Sequence, residues 1–142
     1  MAATLAGAPA AVKLLLAEGA DAAVAENDGY NPPHGAGFQG RAEVLRELVK
    51  AGVGIHNKHK DGFYPIHRAC WGMDVRHTDT VKAFIEAGEP HDLAADNGQT
   101  CRDMTRNEGT RRMLEAVRDQ KGRRRQQQRR RRRQALNKTI PN

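Results

Sequence analysis

The side chains best suited to metal or acid–base chemistry in this 142-residue chain are two cysteines and six histidines. One grouping alone offers four ligands to a metal ion, and it combines His67, Cys70, His77 and Cys101. Its spacing matches no common zinc pattern, in which closely spaced ligand pairs recur. We therefore expect no metal site and no other cofactor.

Other signatures of catalysis are missing from the sequence. It has no Gly-rich phosphate loop, no Walker lysine and no paired catalytic carboxylates, and its Asp-Gly pairs are typical of turns. Two cysteines are too few for a disulfide scaffold, which favours reduced thiols and a reducing compartment. We predict a non-enzymatic protein without a small-molecule substrate, located inside the cell in the cytoplasm or nucleus.

Charge is distributed very unevenly along the chain, although the formal total is +7. Residues 119–142 hold ten basic side chains and one acidic side chain, which makes that segment +9, whereas residues 1–118 are −2. Eight of the basic residues are arginines: Arg123, Arg124, Arg125, Arg129, Arg130, Arg131, Arg132 and Arg133. The body and the tail therefore need separate explanations.

The arginine-rich tail predicts contact with an anion. Residues 123–134 contain no apolar side chain, so nothing there can be buried, and adjacent cations repel; the free tail should be disordered or only transiently helical. A nuclear import signal, an RNA or DNA contact, and a docking strip for an acidic protein or anionic membrane all fit this composition. Without aromatic residues, nucleic-acid binding would be weakly sequence-specific. No apolar run is long enough for a membrane span.

Two sequence elements recur in the body at a nearly constant period. The first starts with Asp-Gly or Asn-Gly, and its copies, 33 and 36 residues apart, occupy residues 28–36, 61–69 and 97–105. The second has apolar pairs four residues apart followed by Gly, and occupies residues 11–19, 44–52 and 80–88. Such pairs form one helical stripe, and the Gly ends the helix. Each unit therefore predicts a turn, a short helix, a tight turn and an amphipathic helix.

The 33-residue period and its T-P-L-H-x-A-like core resemble the ankyrin repeat family over roughly residues 8–118. The resemblance implies an all-α fold: an ankyrin-type solenoid of stacked helix-turn-helix repeats with β-turn connections, followed by a disordered or helical basic tail. The expected units are a partial repeat at 1–27, repeats at 28–60 and 61–96, a partial repeat at 97–118, and the tail at 119–142.

Departures from the repeat pattern refine these expectations. The first unit should lack its turn and most of its first helix. Gly35 and Gly37 should leave the first helix of the second unit short and frayed, since each interior Gly costs about 1 kcal/mol relative to Ala. The third unit carries three extra residues within 72–76. The last helix should run from Thr110 to about Arg118, with Lys121-Gly122 at its end.

The resemblance also implies protein partners, bound on the concave repeat face through turn tips and late first-helix positions. Tyr30 and Phe63 occupy turn tips, while Phe38 and Trp71 occupy the late first-helix position. Aromatic side chains are favoured anchors in interfaces. Alternatively, these four rings fill gaps left by the glycines and missing leucines. A permanent structural subunit of a larger complex is a further possibility.

The resemblance assigns structural roles to the remaining candidates. His34 and His67 stand at the repeat's own histidine position, where the side chain hydrogen-bonds the turn backbone. Cys70 replaces a small buried residue, and a buried thiol is inert unless a neighbouring positive charge lowers its pKa. His56 and His59 fall in a loop between repeats and should be solvated.

Overall fold

A computed structural model describes residues 8–19 and 29–139, and all regular secondary structure within these residues is helical. Residues 1–7 and 20–27 of the first expected unit, Asp28 at the start of the second and the last three residues of the tail fall outside the described part. The helices are α1 (Pro9–Ala17), α2 (Pro32–Gln39), α3 (Ala42–Lys50), α4 (Pro65–Cys70), α5 (Val75–Glu86), α6 (Cys101–Met104) and α7 (Glu108–Thr139).

The helices form two layers. The short helices α2, α4 and α6 pack side by side in one layer, and α1, α3, α5 and α7 pack in the other. Each pair of helices contacts the next pair along the chain, as in a solenoid. Helix α1 belongs to the second layer, so the described part of the first unit is its second helix.

Apolar side chains from both layers meet in one continuous core. Leu45 and Leu48 from α3, Ile66 from α4, Phe84 from α5 and Leu114 from α7 are at most 2% exposed. The apolar stripes predicted in the second helices therefore face inward. Glycines end those helices as expected, because Gly52 and Gly88 adopt left-handed backbone angles (φ of +81° and +109°) that other residues rarely tolerate.

The glycine-rich helix α2 forms despite its two interior glycines. It spans eight residues, and every residue from Pro32 to Gly37 is buried. A Cβ atom added at Gly37 would lie 2.6 Å from the carbonyl oxygen of Pro65 in α4. The glycine therefore allows α2 and α4 to approach closely, and this packing offsets its low helix propensity.

Helix α5 and the loop before it are longer than α3 and the connection before it, in the region where the sequence predicts a three-residue insertion. Helix α5 has twelve residues, compared with nine in α3, and residues 71–74 connect it to α4. His77 in its first turn accepts a hydrogen bond from the Asp74 backbone N–H (3.3 Å) and donates one to the carbonyl of Phe38 (3.0 Å). On the other side, the side chain of Asn107 donates to the carbonyls of Gly72 and Asp74, both at 3.0 Å. The loop is thereby fixed to both neighbouring repeats.

Histidine side chains tie the turns together as the repeat pattern implies. Nδ1 of His34 accepts from the Asn31 backbone N–H (3.2 Å), and Nδ1 of His67 accepts from the Tyr64 N–H (3.0 Å). Nε2 of His67 also donates to the carbonyl of Leu93 in the loop that follows α5 (2.9 Å). These histidines are therefore structural.

A disulfide between Cys70 and Cys101 corrects the expectation of two reduced thiols. It joins the end of α4 to the start of α6, with 5.4 Å between the two Cα atoms, and both residues are almost completely buried. Sequence reasoning treated Cys70 separately as a small buried residue, although stacking brings first helices of neighbouring repeats into contact. The bond links the last unit covalently to its neighbour.

Helix α7 corrects the predicted end of the last helix. It does not stop near Arg118 or at Lys121-Gly122 but continues without interruption to Thr139. Only its first turns contact the repeats, through Thr110 and Leu114, and all residues from 118 to 139 are exposed. The boundary between repeat and tail thus falls inside one helix, whose exposed part is about 30 Å long.

Reduction of the disulfide should destabilise the protein. Opening a loop with a sequence separation of 31 residues restores chain entropy to the unfolded state, which corresponds to about 3 to 4 kcal/mol in the entropic account. Urea unfolding monitored by circular dichroism should show a lower midpoint with dithiothreitol. The double variant C70S/C101S should not respond to the reductant, and an equal wild-type midpoint under both conditions would contradict the disulfide.

Acidification should destabilise the fold through His34. Burial, together with the neighbouring positive charge of Arg68, lowers the pKa of His34 from 6.5 to about 4. Between pH 6.5 and about pH 4, His34 is protonated in the unfolded state but neutral in the folded state. The free energy of unfolding therefore decreases as the pH falls through this window. The expected loss from His34 is about 3 kcal/mol. The urea midpoint should fall less steeply from pH 7 to pH 4 in H34Q than in the wild type; equal slopes would refute this role.

Candidate functional site

Three of the four predicted contact aromatics gather around Arg68 in α4. Its guanidinium carbon lies 5.7 Å from the ring centre of Tyr30, 5.9 Å from that of Phe63 and 5.1 Å from that of Trp71. The arginine side chain is only 10% exposed. A partly desolvated guanidinium is attracted to aromatic faces, so these contacts hold the turn tips against the first helices.

Polar partners fix the other side of the guanidinium. Nη2 of Arg68 lies 2.6 Å from a carboxylate oxygen of Asp61 and 2.6 Å from Nδ1 of His59. Burial alone would raise the pKa of Asp61, but hydrogen bonds from Arg68 and His59 lower it overall. His59 is 12% exposed at its side chain, so the expectation of a solvated histidine is wrong there. His56 is more exposed, and its Nδ1 lies 2.7 Å from the buried carboxylate of Glu89.

Ring packing divides the predicted aromatics by role. Tyr30 and Phe63 are half-buried; Tyr30 stacks on His34 (5.3 Å between ring centres), and Phe63 meets Trp71 edge to face (4.9 Å). Tyr30 and Phe63 therefore pack within the fold, in line with the gap-filling alternative. Phe38 makes no such ring contact within the described residues and is 55% exposed.

Four exposed apolar side chains lie along the edge formed by the end of α2 and the loop into α5. They are Phe38 (55% exposed), Trp71 (37%), Met73 (62%) and Val75 (79%), and we call them the apolar strip. The hydrogen bond from His77 to the carbonyl of Phe38 connects the two parts of this edge. Exposed apolar residues grouped in this way are typical of protein contact sites.

Sequence reasoning missed Arg68, Met73 and Val75. Arg68 occupies the variable position of the H-x-A segment. Its charge, at a position between the aromatic residues Phe63 and Trp71, was the sequence signal that could have identified it. Met73 and Val75 lie within residues 72–76, where the sequence predicts an insertion. Which face the insertion exposes depends on the bonds from His77 and Asn107.

The part of α7 beyond residue 122, which we call the basic helix, presents its arginines to solvent. The eight arginines at 123–125 and 129–133 are exposed, and none of them forms an ion pair within the described residues. The nearest acidic residue in the helix, Asp119, pairs with Arg118 (3.5 Å). This segment therefore carries uncompensated positive charge.

Neither a metal centre nor a membrane helix is found in the described part of the chain. No group of three or more His, Cys, Asp or Glu side chains there is arranged to hold a metal ion, and Cys70 and Cys101 are bonded to each other. None of the described helices combines the length and the apolar character that crossing a membrane requires. The candidate surfaces are therefore the apolar strip and the basic helix.

Comparison with known proteins agrees with the two-layered stack of helix pairs. The chain is similar to mouse protein phosphatase 1 regulatory subunit 27, with 32% identity over 71 residues, which is 50% of this chain and 44% of the relative. The human protein of the same name is 31% identical over 71 residues, with the same coverage. The chain thus matches less than half the length of these curated relatives. The sequence profile described as "Ankyrin repeats (3 copies)" matches residues 1–102, and the chain belongs to this ankyrin repeat family.

Proposed function

We propose that this protein is a non-enzymatic protein-binding module whose apolar strip docks on a partner protein. The observation that carries the proposal is the exposure of Phe38 and Trp71 beside Met73 and Val75 on a fixed edge of the repeat stack. Burying these side chains against a partner would remove apolar surface from water, which is the main source of affinity in such contacts.

Trp71 of the apolar strip is held in position by its neighbours Phe63 and Arg68. Phe63 packs edge to face on Trp71, and the charged group of Arg68 lies 5.1 Å from the same ring. A side chain held by its neighbours loses little conformational entropy on binding. Tyr30 and Phe63, proposed from the sequence as direct contacts, are assigned here to supporting Arg68 and Trp71.

The relatives support a role in binding another protein. Both are named as regulatory subunits of a phosphatase, and the ankyrin family comprises interaction modules. A location in the cytoplasm or nucleus stays a prediction from the sequence. The disulfide does not support it, because stable disulfides are typical of oxidising compartments. A permanent place in a larger complex also stays a prediction.

Replacing the two aromatic residues of the strip should abolish partner binding. The variant F38A/W71A loses both exposed rings, and alanine at such anchors costs about 2 kcal/mol or more each. Affinity capture from a nuclease-treated lysate, read by quantitative mass spectrometry, should therefore show at least a tenfold loss of the proteins captured by the wild type.

The matched control is L14A/L136A, which removes two apolar residues of somewhat greater exposure (59% and 64%) from α1 and α7. It should capture the wild-type set unchanged. Circular dichroism should be the same for all three proteins. Equal capture by F38A/W71A and the wild type would refute the strip as the binding surface.

As a second candidate function, the arginine-rich part of α7 binds nucleic acid. Its continuous exposed helix with eight unpaired arginines favours this function, because guanidinium groups grip phosphates with paired hydrogen bonds. An import receptor that recognises the same residues is the alternative partner for this helix.

Changing all eight arginines to glutamine in the full chain should abolish nucleic-acid binding and preserve the helix, since glutamine is also a good helix former. Wild-type affinity measured by fluorescence anisotropy should fall steeply with salt, as counterions are released. Unchanged binding by the glutamine variant would contradict the role of the helix. Loss of nuclear accumulation of a fluorescent fusion, with no nucleic-acid binding by the wild type, would favour the import receptor.

A further inference from the structure

We propose that the last repeat and the basic helix form one continuous binding surface for double-stranded nucleic acid, in which Arg102, Arg118 and Lys121 extend the contact onto the repeat body. This inference rests on the second candidate function above and adds to it the form of the nucleic acid and the contribution of the body.

A groove connects the body to the basic helix. It has a volume of about 390 Å³ and lies between α7 and the segment that precedes and begins α6. Arg118, Lys121 and Arg125 line the α7 side, while Thr100 and Arg102 line the other. Four cationic side chains therefore converge where the helix leaves the repeats.

The register of α7 continues this groove as a stripe. Positions 118, 121, 125, 129 and 132 are spaced by three or four residues, so they lie on one face of the helix. Leu114, one turn earlier on the same face, is 2% exposed and packs in the core. The face that contacts the repeats thus becomes a cationic stripe about 21 Å long from Arg118 to Arg132.

Acidic residues near the groove do not block it. Glu115 pairs with Arg102 (3.1 Å) and Asp119 pairs with Arg118 (3.5 Å), and all four side chains are at least 41% exposed. Asp92 is a further carboxylate in the lining. Exposed ion pairs contribute little to stability, so a phosphate can replace these carboxylates as a partner.

The distribution of the remaining arginines favours a duplex. Arg123, Arg124, Arg130, Arg131 and Arg133 lie on the other faces of α7, so positive charge surrounds the helix. A helix in the major groove of DNA meets phosphates on both sides, whereas an acidic protein or a membrane would contact one face. A membrane-bound helix would also need an apolar face, and a single-strand site would need stacking aromatics; residues 118–139 have neither.

The test measures binding of the full chain to fluorescent DNA of about 20 base pairs by anisotropy, between about 50 and 200 mM salt. The groove variant R102Q/R118Q/K121Q should bind about tenfold more weakly at the lower salt, and its salt slope should decrease by about three. The control K13Q/K50Q/K60Q removes the same charge from exposed lysines on α1, α3 and the turn before α4, and should bind within about twofold of the wild type.

A second variant excludes misfolding as the cause. E115Q/D119N removes the two carboxylates that compete for Arg102 and Arg118, so it should bind the duplex severalfold more tightly than the wild type. Single-stranded DNA of the same sequence should bind more weakly than the duplex to all four proteins.

Other outcomes would overturn the inference. Loss of binding in the eight-glutamine variant, with groove and control variants binding equally well, would leave the basic helix as the whole site and refute the role of the body. Equal or tighter binding of the single strand would refute the duplex. Binding of poly-glutamate or phosphatidylserine vesicles without duplex binding would assign the surface to an acidic protein or membrane and overturn the second candidate function as well.

Discussion

Stacking between neighbouring repeats is the constraint on which the rest of this structure depends. A pair of short helices cannot bury its apolar face alone, so Leu45 and Leu48 need the residues that the next unit supplies, such as Ile66 and Phe84. Close approach at Gly37 is part of the same stacking. The apolar strip and the start of α7 are both held in place by this contact between units.

Hydrogen bonds between units fix the edge of the stack that carries the apolar strip. His77 donates to the carbonyl of Phe38, and Asn107 donates to the loop before α5. Losing such bonds would leave these backbone carbonyls without their partners in the neighbouring unit. The apolar strip therefore lies on an edge that is fixed from both sides, although it is made of a loop and helix ends.

The charged residues of the repeat body and those of α7 have different roles. In the body, the buried cation Arg68 is neutralised by Asp61 and enclosed by aromatic rings, so it serves the fold. In α7, the arginines beyond residue 122 have no acidic partner within the described residues and remain available to an external anion. Leu114 anchors the start of that helix in the core, and the continuous backbone then fixes the direction of its exposed part.

Local patterns in the sequence were enough to predict the period, the two-helix unit, the buried apolar stripes and the turn-binding histidines. They depend on spacing within a single unit, which the chain displays directly. The disulfide, the close approach at Gly37, the packing of Tyr30 against Arg68 and the edge that carries Met73 and Val75 depend on which residues of different units meet. That information lies in the packing of units more than thirty residues apart, and only the tertiary structure decided it.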